Sequence, residues 1–318
     1  MKKILAIVLM IICSLGFAIQ EVIATEFKLI ESGVKGDNSS CIVSPDGTKI
    51  TFYSDATGGY EVYTMNLDGT EVFQVTDAPG KDGPTSWSPD SKRICFYSEQ
   101  TGNRDLFIVN QDGTGLVQVT DDPGFDAYGA FSPDGTKLVF SSERGGSRNL
   151  WIIDVDGTNP VQLTEGPGPD QEPCWSPDGS KILFKSRDGG GNYFVYVINP
   201  DGTGKKELVG PSPGQQASHW SPDGTKITYS ASGEGGSDDV WVANADGSNP
   251  INITNDPART QYHASWTADG KQIVFSAVNG TCDIWIASDL PEEAWGGAFS
   301  MEPLGKSFSL WGWIKKNW

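Results

Sequence analysis

The sequence is poor in basic residues. Lysine and arginine total 23 against 41 aspartates and glutamates, which gives a net charge of −18 over 318 residues. A protein that binds a nucleic-acid backbone needs a stripe of lysine and arginine side chains to neutralise phosphates. The scarcity of positive charge therefore argues against nucleic acid as a partner.

Histidine and cysteine are also scarce. The two histidines are His219 and His263, and no cysteine–histidine cluster has the spacing of a zinc site. Four cysteines follow residue 24: Cys41, Cys95, Cys174 and Cys282. The four cysteines stand at different positions within different repeats. We therefore expect isolated thiols rather than a disulfide framework, with a pairing of Cys41 left open. No catalytic residue is assigned.

Long apolar runs are confined to the N-terminus. Lys2 and Lys3 precede a nearly unbroken apolar run from Ile4 to Ile19. The run is shorter than the roughly 20 residues that a membrane span needs, and its pattern is typical of a secretory signal peptide. We therefore expect residues 1–24 to be a signal peptide, no membrane span after its removal, and a periplasmic or secreted protein. An uncleaved anchor is the alternative.

The most abundant pattern is a repeated turn. Its six copies are SPDGTKI at 44–50, SPDSKRI at 88–94, SPDGTKL at 132–138, SPDGSKI at 176–182, SPDGTKI at 221–227 and TADGKQI at 267–273. The copies are 44, 44, 44, 45 and 46 residues apart. A fixed period of this length is typical of a propeller or another repeat array.

Each repeat contains short β-rich runs and two turns. In the third copy the runs are YGAF, KLVFSS, NLWIID and PVQLT, and no stretch after residue 25 keeps a helical period. Serine, proline and glycine in SPDG suit positions i, i+1 and i+3 of a type I turn, with the glycine left-handed. Ser91 replaces that glycine once, so we predict that it is strained and that Ser91→Gly stabilises the protein.

Two hairpin turns per repeat imply four antiparallel strands, a to d. Six such units predict an all-β, six-bladed β-propeller over residues 25–290. A large apolar residue precedes each turn, as inter-blade packing requires: Val43, Trp87, Phe131, Trp175, Trp220 and Trp266.

The sixth repeat has no strand d of its own. Leu290 and Pro291 stand where its second Asp-Gly turn belongs, so we predict that Phe27–Ile30 supplies the outer strand and closes the ring. Residues 308–314 are a rival donor. They belong to a tryptophan-rich tail, 291–318, which we expect to pack against the propeller; docking of a partner or of a membrane surface remains open.

The runs SSERGGSRNLWIIDVDGTNPVQLT (141–164) and CWSPDGSKI (174–182) resemble the TolB-type, WD40-like β-propeller repeat. The resemblance covers residues 27–290 and implies the propeller fold. TolB itself carries a separate α/β domain before its propeller, whereas a single strand is expected here between the signal peptide and the first blade. The partner-docking role of that domain is therefore not carried over.

Two columns of the repeat supply candidate ligand-binding residues. Six positions before each turn stand Asn38, Asp82, Asp126, Asp170, Gln215 and Gln261. Carboxylates in consecutive blades suit Ca²⁺ at the channel mouth, although side chains that tie their own loops are the simpler interpretation. Four positions before each turn stand Ser40, Pro84, Tyr128, Glu172, Ala217 and His263. Architecture does not dictate this variable column, so we expect it to face a ligand.

The candidate ligand-binding residues are therefore Asp82, Asp126, Tyr128, Asp170, Glu172 and His263. Calcium is the one ion considered, and no other cofactor is expected. We predict an exported, monomeric, non-enzymatic binding propeller that engages a protein or cell-envelope component through the rim of long d–a and b–c loops. The alternative is a polysaccharide lyase or a glycosidase at the channel mouth, the latter needing two carboxyl groups roughly 5–9.5 Å apart, for which Asp126, Asp170 and Glu172 are the crowded candidates.

Overall fold

The computed structural model describes residues 25–291, except residue 167, residues 213–215 and residues 234–235, together with residue 294. The predictions for the signal peptide and for most of the tail lie outside these residues. So does Gln215 of the acidic column.

Short β-rich runs between the repeated turns form the strands, as their composition predicts. In chain order these are β1 (Glu26–Leu29), β2 (Asn38–Val43), β3 (Lys49–Ser54), β4 (Glu61–Asn66), β5 (Phe73–Gln74), β6 (Asp82–Trp87), β7 (Arg93–Ser98), β8 (Asp105–Asn110), β9 (Val117–Gln118), β10 (Asp126–Phe131), β11 (Lys137–Ser142), β12 (Asn149–Asp154), β13 (Val161–Gln162), β14 (Asp170–Trp175), β15 (Ile182–Arg187), β16 (Tyr193–Ile198), β17 (Lys206–Ser212), β18 (Gln216–Trp220), β19 (Lys226–Ser232), β20 (Asp238–Asn244), β21 (Ile251–Asn252), β22 (Thr260–Trp266), β23 (Ile273–Asn279) and β24 (Thr281–Ser288).

The strands of the described residues form six antiparallel sheets of four strands, which are the six blades of a β-propeller. Blade 1 has the order β2-β3-β4-β5, and blades 2 to 5 repeat it along the chain. The innermost strands, β2, β6, β10, β14, β18 and β22, contact one another in sequence around a closed ring. The predicted fold class is confirmed, and the innermost strands line the central channel.

Blade 6 is completed from the other end of the propeller. Its order is β22-β23-β24-β1, with Glu26 opposite Ser288 and Leu29 opposite Trp285. The N–H of Ile30 then donates to the carbonyl of Ile284 at 2.9 Å. The predicted N-terminal closing strand is confirmed, and it covers an edge that would otherwise be open to aggregation.

The core lies between blades rather than inside them. One large side chain recurs in strand b and is almost completely buried in four blades: Phe52, Phe96, Phe140 and Phe184. Cys95 and Leu106 of blade 2, for example, share one apolar cluster with Phe131, Leu138 and Phe140 of blade 3. The residue before each turn also serves this packing: the Trp87 indole N–H donates to the carbonyl of Ile42 in the preceding blade at 3.1 Å.

The SPDG turns are closed by their own side chains, and the first of them is also bonded to the next blade. Ser44 donates its hydroxyl to Asp46 Oδ1 at 2.6 Å, and Gly47 has a φ of +73°. Ser91 occupies the same left-handed position with a φ of +59°, as predicted. Its Oγ accepts a hydrogen bond from the N–H of Asp46 in the preceding blade at 3.0 Å. This bond offsets part of the strain, so the gain from glycine is smaller than the sequence alone predicts.

Substitution of Ser91 separates the two effects. Ser91→Ala keeps the left-handed strain and loses the hydrogen bond, so we expect the free energy of unfolding to fall by about 1 kcal/mol. Ser91→Gly loses the same bond but relieves a strain of about 1–2 kcal/mol. Its free energy of unfolding in urea should therefore exceed that of the alanine variant by at least about 1 kcal/mol. Equal stability of the two variants would contradict the assigned strain.

The closing strand should matter more than the tail. Deletion of residues 25–31 removes the β1 hydrogen bonds and the buried side chain of Ile30, so we expect a loss of at least about 3 kcal/mol in thermal or denaturant unfolding. Deletion of residues 300–318 should cost much less. The reverse order of losses would show that the tail, and not β1, holds the ring closed.

Candidate functional site

The variable column coincides with a strained bulge. Strands β2, β10, β14 and β22 each shift register against strand b, and the residue in the bulge has a positive φ. These residues are Ser40 (+55°), Tyr128 (+59°), Glu172 (+52°) and His263 (+54°). Left-handed backbone costs a non-glycine residue about 1–2 kcal/mol, and bulges re-aim side chains next to binding sites. The repeat thus keeps a strained geometry while its side chains vary.

Blade 2 departs from this geometry for a local reason. Its residue in the column is Pro84, whose ring fixes φ near −65°, and the register shift there falls between Pro84 and Ser86. Blade 5 also shifts register, between Gln216 and His219. The bulge itself therefore belongs to the architecture, and the side chains that it carries do not.

Side chains from four blades converge on the channel. The negative charge of Glu172 in blade 4 acts on the pKa values of Tyr128 in blade 3, His219 in blade 5 and His263 in blade 6. These four residues belong to the innermost strands β10, β14, β18 and β22, which line the channel. Glu172 Oε1 also lies 2.5 Å from Nζ of Lys185, a buried residue on β15. These five residues are called the channel cluster below.

The channel wall keeps both histidines neutral. Burial is the main cause that lowers the pKa of His219 and of His263 to about 4; the charge of Glu172 opposes this shift at both residues, and at His263 the Lys185 ammonium contributes to it. His263 Nδ1 lies 3.3 Å from the hydroxyl oxygen of Ser40 in blade 1. Neutral imidazoles can both donate and accept hydrogen bonds, so the cluster offers polar contacts beside a single buried ion pair.

The acidic column does not converge in the channel. Asp82, Asp126 and Asp170 are buried at the starts of β6, β10 and β14, in three different blade interfaces. Asp126 accepts from Arg144 Nη2 at 2.8 Å, and Lys205 Nζ lies 4.0 Å from Asp170 Oδ1. Among the residues that the structure describes, no group of three or more His, Cys, Asp or Glu side chains could hold a metal ion. The calcium site at the channel mouth stays a prediction.

A threonine in three of the d–a loops joins the acidic column to strand c. The partners across these interfaces are Glu61, Thr76 and Asp82; Asp105, Thr120 and Asp126; and Asp239, Thr254 and Gln261. In the first set Thr76 donates to Glu61 Oε2 at 2.8 Å. Burial raises the pKa of both Glu61 and Asp82. The repeated QVT, QLT and NIT strings were the sequence signal for this motif.

A stack of rings and guanidinium groups lies on the long-loop rim between blades 2 and 3. Arg104 lies 4.3 Å from the ring centre of Tyr97 and 4.9 Å from that of Phe125, and Arg148 lies 3.9 Å from that of Phe125. Glu99 and Glu143 hold the two arginines in ion pairs of 2.6 and 2.7 Å. Sequence reasoning missed these residues and Lys185, because each belongs to a different loop or strand from its neighbours.

The ion pair of the channel cluster can be tested by stability. Lys185→Met removes the cation that Glu172 contacts, and we expect a loss of about 3 kcal/mol, as for other broken buried pairs. Adding Glu172→Gln should restore part of this loss in denaturant unfolding. The matched control is Lys137→Met, which breaks a solvent-exposed pair with Asp154 and should cost at most about 1 kcal/mol. Equal losses from the two lysine variants would contradict a buried pair.

The sequence matches the family described as the TolB beta propeller domain over residues 17–125 and 114–210. No curated protein matches the chain. No helix in the described part of the chain is long and apolar enough to cross a membrane.

Solved structures share the fold at low sequence identity. TolB from Acinetobacter baumannii is 20% identical with a TM-score of 0.63, and the match covers 81% of this chain but only 65% of that protein. A putative TolB from Agrobacterium tumefaciens is 19% identical with a TM-score of 0.62, covering 83% of this chain and 97% of that one. An oligogalacturonate lyase in complex with manganese is 18% identical with a TM-score of 0.54, covering 86% and 98%.

Proposed function

The chain belongs to the TolB β-propeller domain family, and from this premise we propose that it is an exported, monomeric, non-enzymatic binding propeller. Its partner is a protein or a cell-envelope component, and the partner engages the long-loop rim with the channel cluster at its centre.

Periplasmic location or secretion is part of the proposal, because export depends on cleavage of residues 1–24 as a signal peptide. Sequencing the N-terminus of the mature protein tests that part.

The observation that carries the proposal is the strained bulge. Four blades hold a non-glycine residue at positive φ, and the residue is Ser40, Tyr128, Glu172 or His263. Strain of this kind persists at binding sites because the surrounding structure holds it in place. If the bulge served packing alone, glycine would fill it at lower cost. The variety of side chains instead suits recognition of one asymmetric partner.

Partner binding is expected to depend on this rim and not on the opposite one. Immobilised protein is exposed to envelope extract, the retained partner is identified and purified, and its affinity is measured by calorimetry. Replacement of Tyr128 and His263 by alanine should weaken binding by at least about 2 kcal/mol, roughly 30-fold, as for other central contacts.

The matched control is alanine at Lys92 and Lys271, two exposed residues that follow the repeated turns of blades 2 and 6 on the opposite rim. This variant should bind like the wild type. The proposal would be contradicted if the control variant lost partner binding while the variant with alanine at Tyr128 and His263 kept it. Circular dichroism and unfolding midpoints should confirm that both variants fold.

A lyase acting on anionic polysaccharides is the second candidate. It is favoured by two neutral imidazoles, His219 and His263, of which His263 lies near the Lys185 ammonium, since proton abstraction next to a carboxylate needs a base and a cation. An oligogalacturonate lyase also shares the fold. The glycosidase form has less support, because Asp126 and Asp170 lie in separate interfaces beside Arg144 and Lys205. Unsaturated products from a panel of polyuronates, lost in His263→Ala, would establish a lyase in place of a binding protein.

A further inference from the structure

The blade interfaces differ in how they balance buried negative charge. Between blades 2 and 3, Asp126 pairs with Arg144, and Asp105 accepts hydrogen bonds from Thr101 at 2.6 Å and from Gln118 at 3.3 Å. Between blades 5 and 6 the equivalent positions hold one carboxylate, Asp239, because the next blade supplies Gln261 in place of an aspartate. In both interfaces side chains of the protein itself pair with a carboxylate or donate to it, although Oδ1 of Asp126 has no hydrogen-bond partner among the described residues.

The interface between blades 1 and 2 lacks this balance. Glu61 and Asp82 are 6% and 1% exposed, and no ion pair of the described residues includes either of them. No hydrogen bond of standard geometry reaches either carboxylate oxygen of Asp82 within the described part of the protein, although the hydroxyls of Ser98 and Thr76 act on its pKa. The backbone N–H of Asp82 donates to the carbonyl of Tyr60 at 2.7 Å, which holds the two acidic residues side by side across the interface.

Two buried carboxylates without a counter-charge are costly, because burial disfavours the ionised form and like charges repel. Thr76 lies between them and donates to Glu61 Oε2 at 2.8 Å. Asp77, exposed on the same d–a loop, adds negative charge that acts on Glu61. This arrangement calls for a bound cation or for a retained proton.

We propose that the interface between blades 1 and 2 binds a divalent cation of the calcium type between Glu61 and Asp82. Two carboxylates balance its charge and offer four oxygen atoms, to which the Thr76 hydroxyl adds a fifth. Ca²⁺ takes six to eight oxygen ligands in flexible geometry and accepts water for the rest, whereas Mg²⁺ demands a near-ideal octahedron. The site lies inside one blade interface, so it differs from an ion held at the mouth of the channel.

Calcium titration of the chelator-treated full-length protein tests the site. At constant ionic strength, the midpoint temperature of thermal unfolding of the wild type should rise by about 5 °C when the Ca²⁺ concentration reaches a hundred times its dissociation constant. Mg²⁺ should give a smaller rise, and calorimetry should find one calcium ion per chain.

Variants locate the ion. Asp82→Asn and Glu61→Gln should abolish the calcium-dependent rise, and since they relieve repulsion, their metal-free midpoints should equal or exceed that of the wild type. Asp105→Asn, at the equivalent interface of blades 2 and 3, is the matched control and should keep the rise. The proposal is overturned if calcium does not shift the wild type, or if Asp82→Asn responds as the wild type does. A wild type stabilised by acid but not by calcium would show a shared proton instead of a cation.

Discussion

Packing of each blade against the next is the interaction on which the rest of the structure depends. A four-stranded sheet of this size has no core of its own, so it buries its apolar side chains, such as Phe96 and Phe140, between neighbours. The first and last blades of an open array would each leave one apolar face exposed, and closure of the ring covers both. Closure by β1 satisfies the last blade, and it ties residues at the two ends of the propeller into one cooperative unit.

The closed ring also creates the place where function can differ from architecture. Once packing fixes the innermost strands, a bulge near the start of each can hold side chains toward the axis. Tyr128, Glu172 and His263 are each replaced by a different residue type at the same position of the other blades, yet they share a strained backbone conformation. The scaffold therefore supports the strain, and the side chains are free to serve recognition.

Electrostatics in this protein follows position more than composition. The sequence is strongly acidic, but the channel cluster contains one carboxylate, one ammonium and two neutral imidazoles. The buried carboxylates lie instead between blades, where Arg144 neutralises one of them and no cation of the described chain reaches Glu61 or Asp82. Net charge alone would not have separated these environments.

The sequence by itself determined the number of blades, the four strands of each, the left-handed position of Ser91 and the donor of the closing strand. These features follow from local turn chemistry and from a period, both of which can be read along the chain. The sequence also pointed to the variable column, because comparison of six copies shows where architecture leaves a position open. Tertiary structure decided which candidates interact. The charge of Glu172 acts on His219 and His263 from another blade, while Asp82, Asp126 and Asp170 are kept apart in separate interfaces. Residues of one column are 44 or more positions apart, and whether their side chains point into the channel or between blades depends on a one-residue bulge that composition does not reveal.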